Sequence, residues 1–333
     1  MIDLTKIDEE YVPRTNYTPV VSNWQLRSII NGFPIGYDSD GKTTYDDWLS
    51  YYKMGFRRMI GSDSERSLSG GILMPNCMNI GGVVTSTFKD LDKLLEFAGL
   101  TSSLPLDFYV KTLGISDVHA SRVLTFPLGI QDKYKNHLYI RTLLLNCLTS
   151  QYKELWKNTW KDSFVDDSWS IKDSRLKPFQ TLSKEWVWDT PLRNYFERRQ
   201  ALVETDVIVS IALRLSFDEL VKMYYIQFPI AQQYESDTWY DSKGNIVFTP
   251  NRGLLGVGLD RKIWEQIRGE ISEDGMTYIG TSESYEHTID PAKSELYGGQ
   301  KVTYYAPYNR CDRIEDYRRA WAHFEKVFNE EKN

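Results

Sequence analysis

The sequence changes character at Lys89, and this change limits the folds that the chain can adopt. Before it, from Tyr51 to Phe88, short apolar pieces alternate with Gly, Ser and Asn, a pattern typical of strands joined by tight polar loops. After it, apolar residues recur at helical spacing, beginning with Leu91, Leu94, Leu95 and Ala98. The sequence therefore predicts an α+β fold, with a β-rich domain over residues 1–130 and a mainly helical domain over residues 131–333.

Several helix boundaries can be predicted from capping residues. Gly99 is expected to end the first helix. A long helix is expected to begin at Thr190-Pro191, because Thr is a good N-cap and Pro suits the first turn. Ser216-Phe-Asp-Glu219 matches a capping box that opens the next helix. A helical pattern also extends from Lys135 to Trp160, and the last helix is predicted from Asp312 to Glu331.

Two tetrapeptides are turn signals. Asp38-Ser-Asp-Gly41 lies in a region with Pro13, Pro19 and Pro34, where short strands and loops are expected. Asp241-Ser-Lys-Gly244 separates two apolar pieces and predicts a turn between strands.

The charge balance limits how this chain could bind a nucleic acid. Of its 333 residues, 40 are Lys or Arg and 46 are Asp or Glu, giving a formal net charge of −6. A freestanding non-specific DNA-binding protein usually carries a basic balance, so that class is disfavoured. A base-reading module whose partner makes most phosphate contacts is compatible with this charge. The 22 Tyr and 10 Trp residues suit a protein interface as well as a core.

Cysteine and histidine usage points to a reducing compartment. The three cysteines and four histidines are scattered, without the spacing of a disulfide framework or a zinc site. The first ten residues are polar and acidic, unlike a signal peptide, and no apolar run reaches the ~20 residues that a membrane helix needs. These features predict a cytoplasmic protein.

The sequence lacks the motifs of the common enzyme classes. It contains neither the Phe-x-Gly-x-Gly pattern nor the Asn/Asp-Pro-Pro-Tyr/Phe loop of amino-methylating enzymes that use S-adenosylmethionine. Gly253-Leu-Leu-Gly-Val-Gly258 is interpreted as a mere loop, because its flanks do not resemble a strand–turn–helix unit. The acid pairs Asp46-Asp47 and Asp166-Asp167 are interpreted as solvated charge. No catalytic or metal-binding residue is therefore predicted.

The segment from Tyr52 to Pro75 is the most informative for function, because it combines arginines with glycine loops. Arg57, Arg58 and Arg66 have guanidinium forks that match guanine edges or phosphates with two parallel hydrogen bonds. Glu65 is suited to accept from a cytosine amino group or to hold Arg66 in place. For each arginine the alternative is a surface salt bridge or a solvated charge.

Two further groups extend this candidate DNA surface. The first precedes Gly81-Gly82 and consists of Asn76 and Asn79, which are suited to read adenine or to contact the DNA backbone. The second surrounds a polar loop after a predicted helix, an arrangement that presents side chains to phosphates; its members are Lys111, His119 and Arg122. For His119 the alternative is a structural histidine.

Five motifs follow one another in a characteristic order: Gly55-Phe-Arg-Arg-Met-Ile-Gly61, Glu65-Arg-Ser-Leu68, Ile72-Leu-Met-Pro75, Leu100-Thr-Ser-Ser-Leu-Pro-Leu-Asp-Phe108 and Phe126-Pro-Leu128. Two helical segments, Pro191–Asp206 and Asp312–Trp321, come after them. In this order the segments resemble the target-recognition and C-terminal region of large adenine-specific DNA methyltransferases of the type IIG restriction–modification and phage-defence kind.

The resemblance implies sequence-specific recognition of double-stranded DNA. Its reader-strand residues would be Arg57, Arg58, Glu65, Arg66 and Ser67. Because the family's cofactor and catalytic motifs are absent, S-adenosylmethionine and the methyltransferase core are expected in a partner chain or in a missing part of the polypeptide.

The chain is thus predicted to be a specificity module that is not catalytic alone. It would dock in the major groove and hold its partner through the helical, aromatic-rich part. The alternatives are a nuclease subunit with an unrecognised site and a protein-interaction scaffold of a defence complex.

Overall fold

The computed structural model describes residues 3–12, 33–61, 64–292 and 294–330. Helices and several small sheets in these ranges confirm the predicted α+β class. The region of Pro13 and Pro19, predicted to form strands and loops, lies outside the described residues. In the described ranges, no helix is long and apolar enough to cross a membrane.

The α-helices of the described residues vary from one turn to five. They are α1 (Leu91–Ser102), α2 (Leu104–Thr112), α3 (Ala120–Val123), α4 (Asp132–Asn146), α5 (Lys153–Thr159), α6 (Tyr195–Ala212), α7 (Phe217–Gln227), α8 (Pro229–Ser236), α9 (Arg261–Ile267) and α10 (Arg313–Glu330).

The strands are short and pair antiparallel. They are β1 (Phe33–Tyr37), β2 (Thr43–Asp46), β3 (Lys53–Arg57), β4 (Gly70–Leu73), β5 (Val83–Thr87), β6 (Trp239–Tyr240), β7 (Ile246–Phe248), β8 (Thr277–Tyr278), β9 (Ser284–Thr288), β10 (Lys301–Tyr305) and β11 (Tyr308–Asn309). β3 is the centre of the sheet β4–β3–β5, and a second sheet has the order β7–β6–β11–β8. β1–β2 and β9–β10 are two-stranded. The strands predicted between Tyr51 and Phe88 are therefore confirmed.

Both predicted turns are confirmed. Asp38–Gly41 joins β1 to β2, and Asp241–Gly244 joins β6 to β7. Gly41 and Gly244 adopt φ of +74° and +87°, a left-handed conformation that favours glycine.

Gly99 lies inside α1, so the prediction of a helix end there is wrong. A Cβ at this position would lie 2.6 Å from Leu138 Cγ and 2.7 Å from Thr142 Oγ1, both in α4. The glycine therefore allows the backbones of α1 and α4 to pack closely instead of stopping the helix. α1 continues to Ser102, and Ser103 occupies the N-cap position of α2.

The predicted start of the long helix at Thr190-Pro191 is also wrong. α6 begins at Tyr195, because Asn194 Oδ1 accepts a hydrogen bond from Glu197 N at 2.8 Å and so caps the helix. Thr190 Oγ1 instead accepts from Val187 N at 2.8 Å, which stabilises a turn before the helix.

The remaining helical predictions are largely confirmed. The capping box at Ser216 is present at the start of α7, and α10 buries Tyr317, Ala320, Phe324 and Phe328. The pattern predicted as continuous from Lys135 to Trp160 is two helices, α4 and α5. They are separated at Cys147, whose carbonyl accepts a hydrogen bond from Trp186 Nε1 at 2.8 Å.

One buried core joins the sheet β4–β3–β5 to the helices. It contains Phe56 of β3 and Phe126 together with Leu138 of α4 and Phe324 of α10. The domain boundary predicted at residue 130 passes through this core. A second core lies among the later strands, in the part predicted to be mainly helical, and includes Trp239, Trp264 and Tyr308.

The carboxylate of Asp206, in the middle of α6, is fully buried and has partners from three other segments. It accepts hydrogen bonds from Leu104 N at 2.6 Å and from Tyr317 Oη at 2.6 Å. Arg66 Nη2 forms an ion pair with it at 3.0 Å. Asp206 therefore ties the loop after β3, the start of α2 and helix α10 to α6.

A second buried ion network lies nearby and connects α6 to α8 and α10. Arg199 Nε donates to Glu235 Oε1 at 2.6 Å, and Arg313 Nη2 donates to Glu235 Oε2 at 2.8 Å. Arg199 Nη1 also lies 2.7 Å from Asp316 Oδ2. Burial raises the pKa of Glu235, but the two arginines outweigh it and lower the pKa to about 2.

This network predicts a loss of stability in acid. Since the pKa of Glu235 is about 2 in the folded chain against an ordinary value of 4.5, the unfolded chain takes up the proton first. The free energy of unfolding should then fall by about 3 kcal/mol as the pH drops from 4.5 to about 2.

Urea unfolding at successive pH values measures this loss of stability. Glu235→Gln should show a shallower acid slope, whereas Glu265→Gln on the exposed face of α9 should keep the wild-type slope. An unchanged slope in Glu235→Gln would contradict this account.

Candidate nucleic-acid interface

The end of β3 is held on both sides by backbone hydrogen bonds. Arg57 N donates to Ser69 O at 2.8 Å, on the side of β4. Arg58 N donates to Gly82 O at 3.0 Å, on the side of β5. The two predicted arginines therefore follow each other where the three-stranded sheet ends.

Beyond the end of β5, residues 116–118 form the backbone hydrogen bonds with the residues that follow β3. Val118 N donates to Arg58 O at 2.7 Å, and Ile60 N donates to Ser116 O at 2.9 Å. Helix α3, which follows this segment, packs against β5. The fold thus brings three separate segments to the end of β3, and we call residues 57–59, 79–82 and 117–124 the strand-end surface.

Packing of aromatic and apolar residues in the main core holds the segments of the strand-end surface in place. Phe56, the last core residue of β3, is fully buried, and its ring centroid lies 6.2 Å from that of Phe126. Val123 of α3 is buried in the same core. The segments on both sides of the surface are therefore anchored to one rigid base.

Three predicted residues are exposed on the strand-end surface: Arg57, His119 and Arg122. Their side chains make no hydrogen bond or ion pair with any residue in the parts of the chain that the structure describes. Arg58 Nε lies 3.5 Å from Asp117 Oδ1, and both side chains are partly exposed. With three arginines and one aspartate, the surface has a formal charge of +2, in a chain of net charge −6.

The two predicted asparagines have different surroundings. Asn79 Nδ2 donates to Val83 O at 2.6 Å and its Oδ1 accepts from Thr85 Oγ1 at 3.2 Å, so the side chain shapes the turn before β5. Asn76 is exposed and has φ of +61°. Its backbone N donates to Leu49 O at 2.6 Å.

Glu65, Arg66 and Ser67 are held by the protein itself. Arg66 pairs with buried Asp206, as described above, and Glu65 Oε2 accepts from Asn251 Nδ2 at 2.8 Å. Ser67 is buried, and its backbone N donates to the carboxylate of Asp107 at 3.0 Å. For these three residues DNA contact stays a prediction, but their geometry favours the structural alternative, because each is already bound to another residue of the chain.

Lys111 also faces inward. Its Nζ donates to Gln227 O at 3.0 Å and lies 4.4 Å from the ring centroid of Phe228. Burial lowers the pKa of the Lys111 ammonium. The residue links α2 to the end of α7 and is separate from the strand-end surface.

Sequence reasoning missed the apolar residues of the strand-end surface. Met59, Ile80 and Leu124 are exposed in the same three segments as the arginines. For Met59 and Ile80, the signal available in the sequence was an apolar residue close to arginine or glycine in a segment with many polar residues.

A polar cleft elsewhere was not predicted from sequence. Its volume is about 220 Å³, and it is lined by Asn136, His137, Ser163, Phe164, Asp166, Asp167, Ser168 and Val327. His137 Nδ1 lies 3.0 Å from Asp167 Oδ2, and Arg141 Nη1 donates to the same oxygen at 2.7 Å. Asp167 was interpreted as solvated charge, and that interpretation is wrong because the residue is buried in this ion network.

The glycine loop from Gly253 to Gly258 follows strand β7 and precedes helix α9, unlike the flanks expected from sequence. A Cβ on Gly258 would lie 2.6 Å from Val247 O, and Gly258 has φ of +72°. This glycine therefore packs against the strand, in a structural turn.

Among the described residues, no group of three or more His, Cys, Asp or Glu side chains could hold a metal ion. Comparisons of the chain with protein-family models, with curated proteins and with solved structures find no match. The strand-end geometry is therefore the main basis for a functional proposal.

The structure predicts that two of the candidate arginines differ in their effect on stability. Arg66→Ala removes the nearer of two cations beside the buried Asp206 carboxylate, at 3.0 Å, and leaves only Arg313 Nη1 at 4.0 Å, so the free energy of unfolding should fall by about 3 kcal/mol. Arg57→Ala removes an exposed side chain and should change it by less than about 0.5 kcal/mol. Urea denaturation of both variants measures this. Equal stability of the two variants would show that the Arg66–Asp206 pair does not hold the fold.

Proposed function

We propose that the chain is the sequence-recognition module of an adenine-specific DNA methyltransferase system, and that the strand-end surface contacts the DNA. The proposal rests on one observation. Arg57 and Arg122 present exposed guanidinium groups, unpaired in the described parts of the chain, on a rigid base beside an open glycine turn. The chemistry on adenine, with S-adenosylmethionine, belongs to a partner methyltransferase core.

The two arginines are suited to base recognition. A guanidinium fork donates two parallel hydrogen bonds to O6 and N7 of guanine in the major groove. An arginine already held in an ion pair must lose that pair first, as Arg58 would with Asp117. Arg57 and Arg122 avoid this cost, and they are therefore the principal candidate readers.

The glycine turn allows DNA to approach the protein backbone. Gly82 is exposed, and a Cβ built on it meets nothing within 4 Å. At Gly81 the nearest atom to such a Cβ is Arg58 Nη1, at 4.0 Å. Backbone N–H groups next to exposed glycines can contact phosphates closely, and such contacts fix the register of a protein on a duplex.

The small positive charge of the strand-end surface limits how much affinity it can contribute to DNA binding. A local charge of +2 neutralises few phosphates, so affinity from counterion release is modest. The long-range field of a chain with net charge −6 does not attract DNA. The module therefore contributes selectivity, and its partner contributes most of the phosphate contacts.

Selection from a duplex library with a randomised segment, at low salt, tests this function. The enriched sequence should bind wild type well above a scrambled duplex. Arg57→Ala and Arg122→Ala should each weaken binding to the enriched sequence by about 1–3 kcal/mol, and binding to the scrambled duplex much less. Arg318→Ala, an exposed cation on α10, is the charge-matched control and should bind like wild type.

Other outcomes would favour the alternatives. Equal losses on both duplexes would restrict the arginines to phosphate contacts. Metal-dependent cleavage of the library would indicate a nuclease subunit. An absence of any enriched or shifted DNA at low salt, with and without a methyltransferase partner, would reject the proposal in favour of a protein scaffold.

Gly82→Val gives an independent test of close approach. The substitution places a branched side chain in open space, so thermal stability should stay near that of wild type. If the turn lies against the duplex, binding to the enriched sequence should fall at least tenfold, which corresponds to about 1.4 kcal/mol. Gly256→Val is unsuitable as a control because Gly256 has φ of +81°. Gly253, in the same loop, lacks that φ, and a Cβ there would lie 3.1 Å from Oδ1 of the Asn251 side chain. Gly253→Val is therefore the control when its melting temperature is near that of wild type, and it should bind normally.

A further inference from the structure

Three apolar side chains of the strand-end surface, which also carries three arginines, are exposed. Met59 is 65% exposed, Ile80 is 53% exposed and Leu124 is 86% exposed. Each comes from a different one of the three segments that meet at the end of β3. A single exposed apolar residue is ordinary on a protein surface, but three of them on a surface with a formal charge of +2 suit a partner that is both anionic and locally apolar.

Leu124 is held firmly in its exposed position. Its backbone N donates to Ala120 O at 3.1 Å. Val123 before it and Phe126 after it are both buried in the main core. Because the backbone on either side is fixed, little ordering entropy opposes contact between the leucine side chain and a ligand.

DNA offers one matching feature in the major groove. Among the four bases only thymine carries an apolar group there, its 5-methyl group, next to the hydrogen-bonding edges that arginines read. We propose that Leu124, together with Met59, recognises thymine methyl groups, so that the target sequence combines thymine with guanine read by Arg57 and Arg122. This inference rests on the proposed function and specifies its substrate.

Replacing thymine by uracil tests it, because uracil keeps the Watson–Crick pair and the O4 acceptor but lacks the methyl group. The probes are the enriched duplex with thymine and the same duplex with uracil at every thymine position. Wild type should bind the uracil duplex roughly fourfold more weakly for each methyl group contacted. Leu124→Ala should bind both duplexes more nearly equally, with its affinity for thymine DNA lowered towards that of wild type for uracil DNA.

Matched variants separate this contact from general effects. Met59→Ala and the double variant show whether the second side chain shares the contact. Leu255→Ala removes another exposed leucine, 76% exposed on the loop after β7, and should keep the wild-type preference for thymine. Melting temperatures near that of wild type confirm that the variants fold, as expected for exposed positions.

Two results would overturn the inference while leaving the proposed function intact. One is equal binding of wild type to the thymine and uracil duplexes. The other is an undiminished preference for thymine in Leu124→Ala, Met59→Ala and the double variant. Absence of DNA binding by wild type would reject both proposals together.

Discussion

The buried carboxylate of Asp206 is the interaction on which the arrangement of this chain depends. It lies in the centre of α6 and is bound by Arg66, Tyr317 and the backbone amide of Leu104. A buried charge without partners costs several kcal/mol, so this carboxylate depends on all these segments for its partners. One side chain therefore couples the loop behind β3 to α2, α6 and α10, which are far apart in sequence.

Because Asp206 binds Arg66, the arginines of the β3 region have different roles. Arg66 faces inward and fixes the loop behind the strand, whereas Arg57 faces outward at the end of the strand. Base discrimination depends on directional hydrogen bonds, so exposed readers need a rigid support. The proposed readers have one, because Phe56 and Val123 anchor the flanking segments in the main core.

The sequence was sufficient to predict features that depend on interactions between residues close together in the chain. The turns at Asp38 and Asp241 and the capping box at Ser216 depend on residues a few positions apart, and all three are present. Contacts between residues far apart in the chain could not be predicted from such local patterns. Gly99 resembles a helix end unless Leu138 is known to pack against it, and Arg66 resembles a surface reader unless Asp206 is known to lie beside it. Of the strand-end surface, the sequence predicted Arg57 and Arg122 as candidate readers but not the exposed apolar residues, and contact with DNA stays a prediction.

The acidic balance of the chain and the proposed recognition of DNA are compatible on physical grounds. Affinity for any duplex grows with the number of phosphates neutralised and does not depend on their sequence. A module with many cations would bind everywhere and dilute its own selectivity, since non-specific sites far outnumber the target. Under the proposed function, a small surface with two arginines that are unpaired in the described parts of the chain, and a few exposed apolar residues, gains little from random DNA. Under that function, its binding energy comes mainly from base edges. The negative charge of the rest of the chain then increases selectivity, and the partner that carries out the reaction makes most of the phosphate contacts with the duplex.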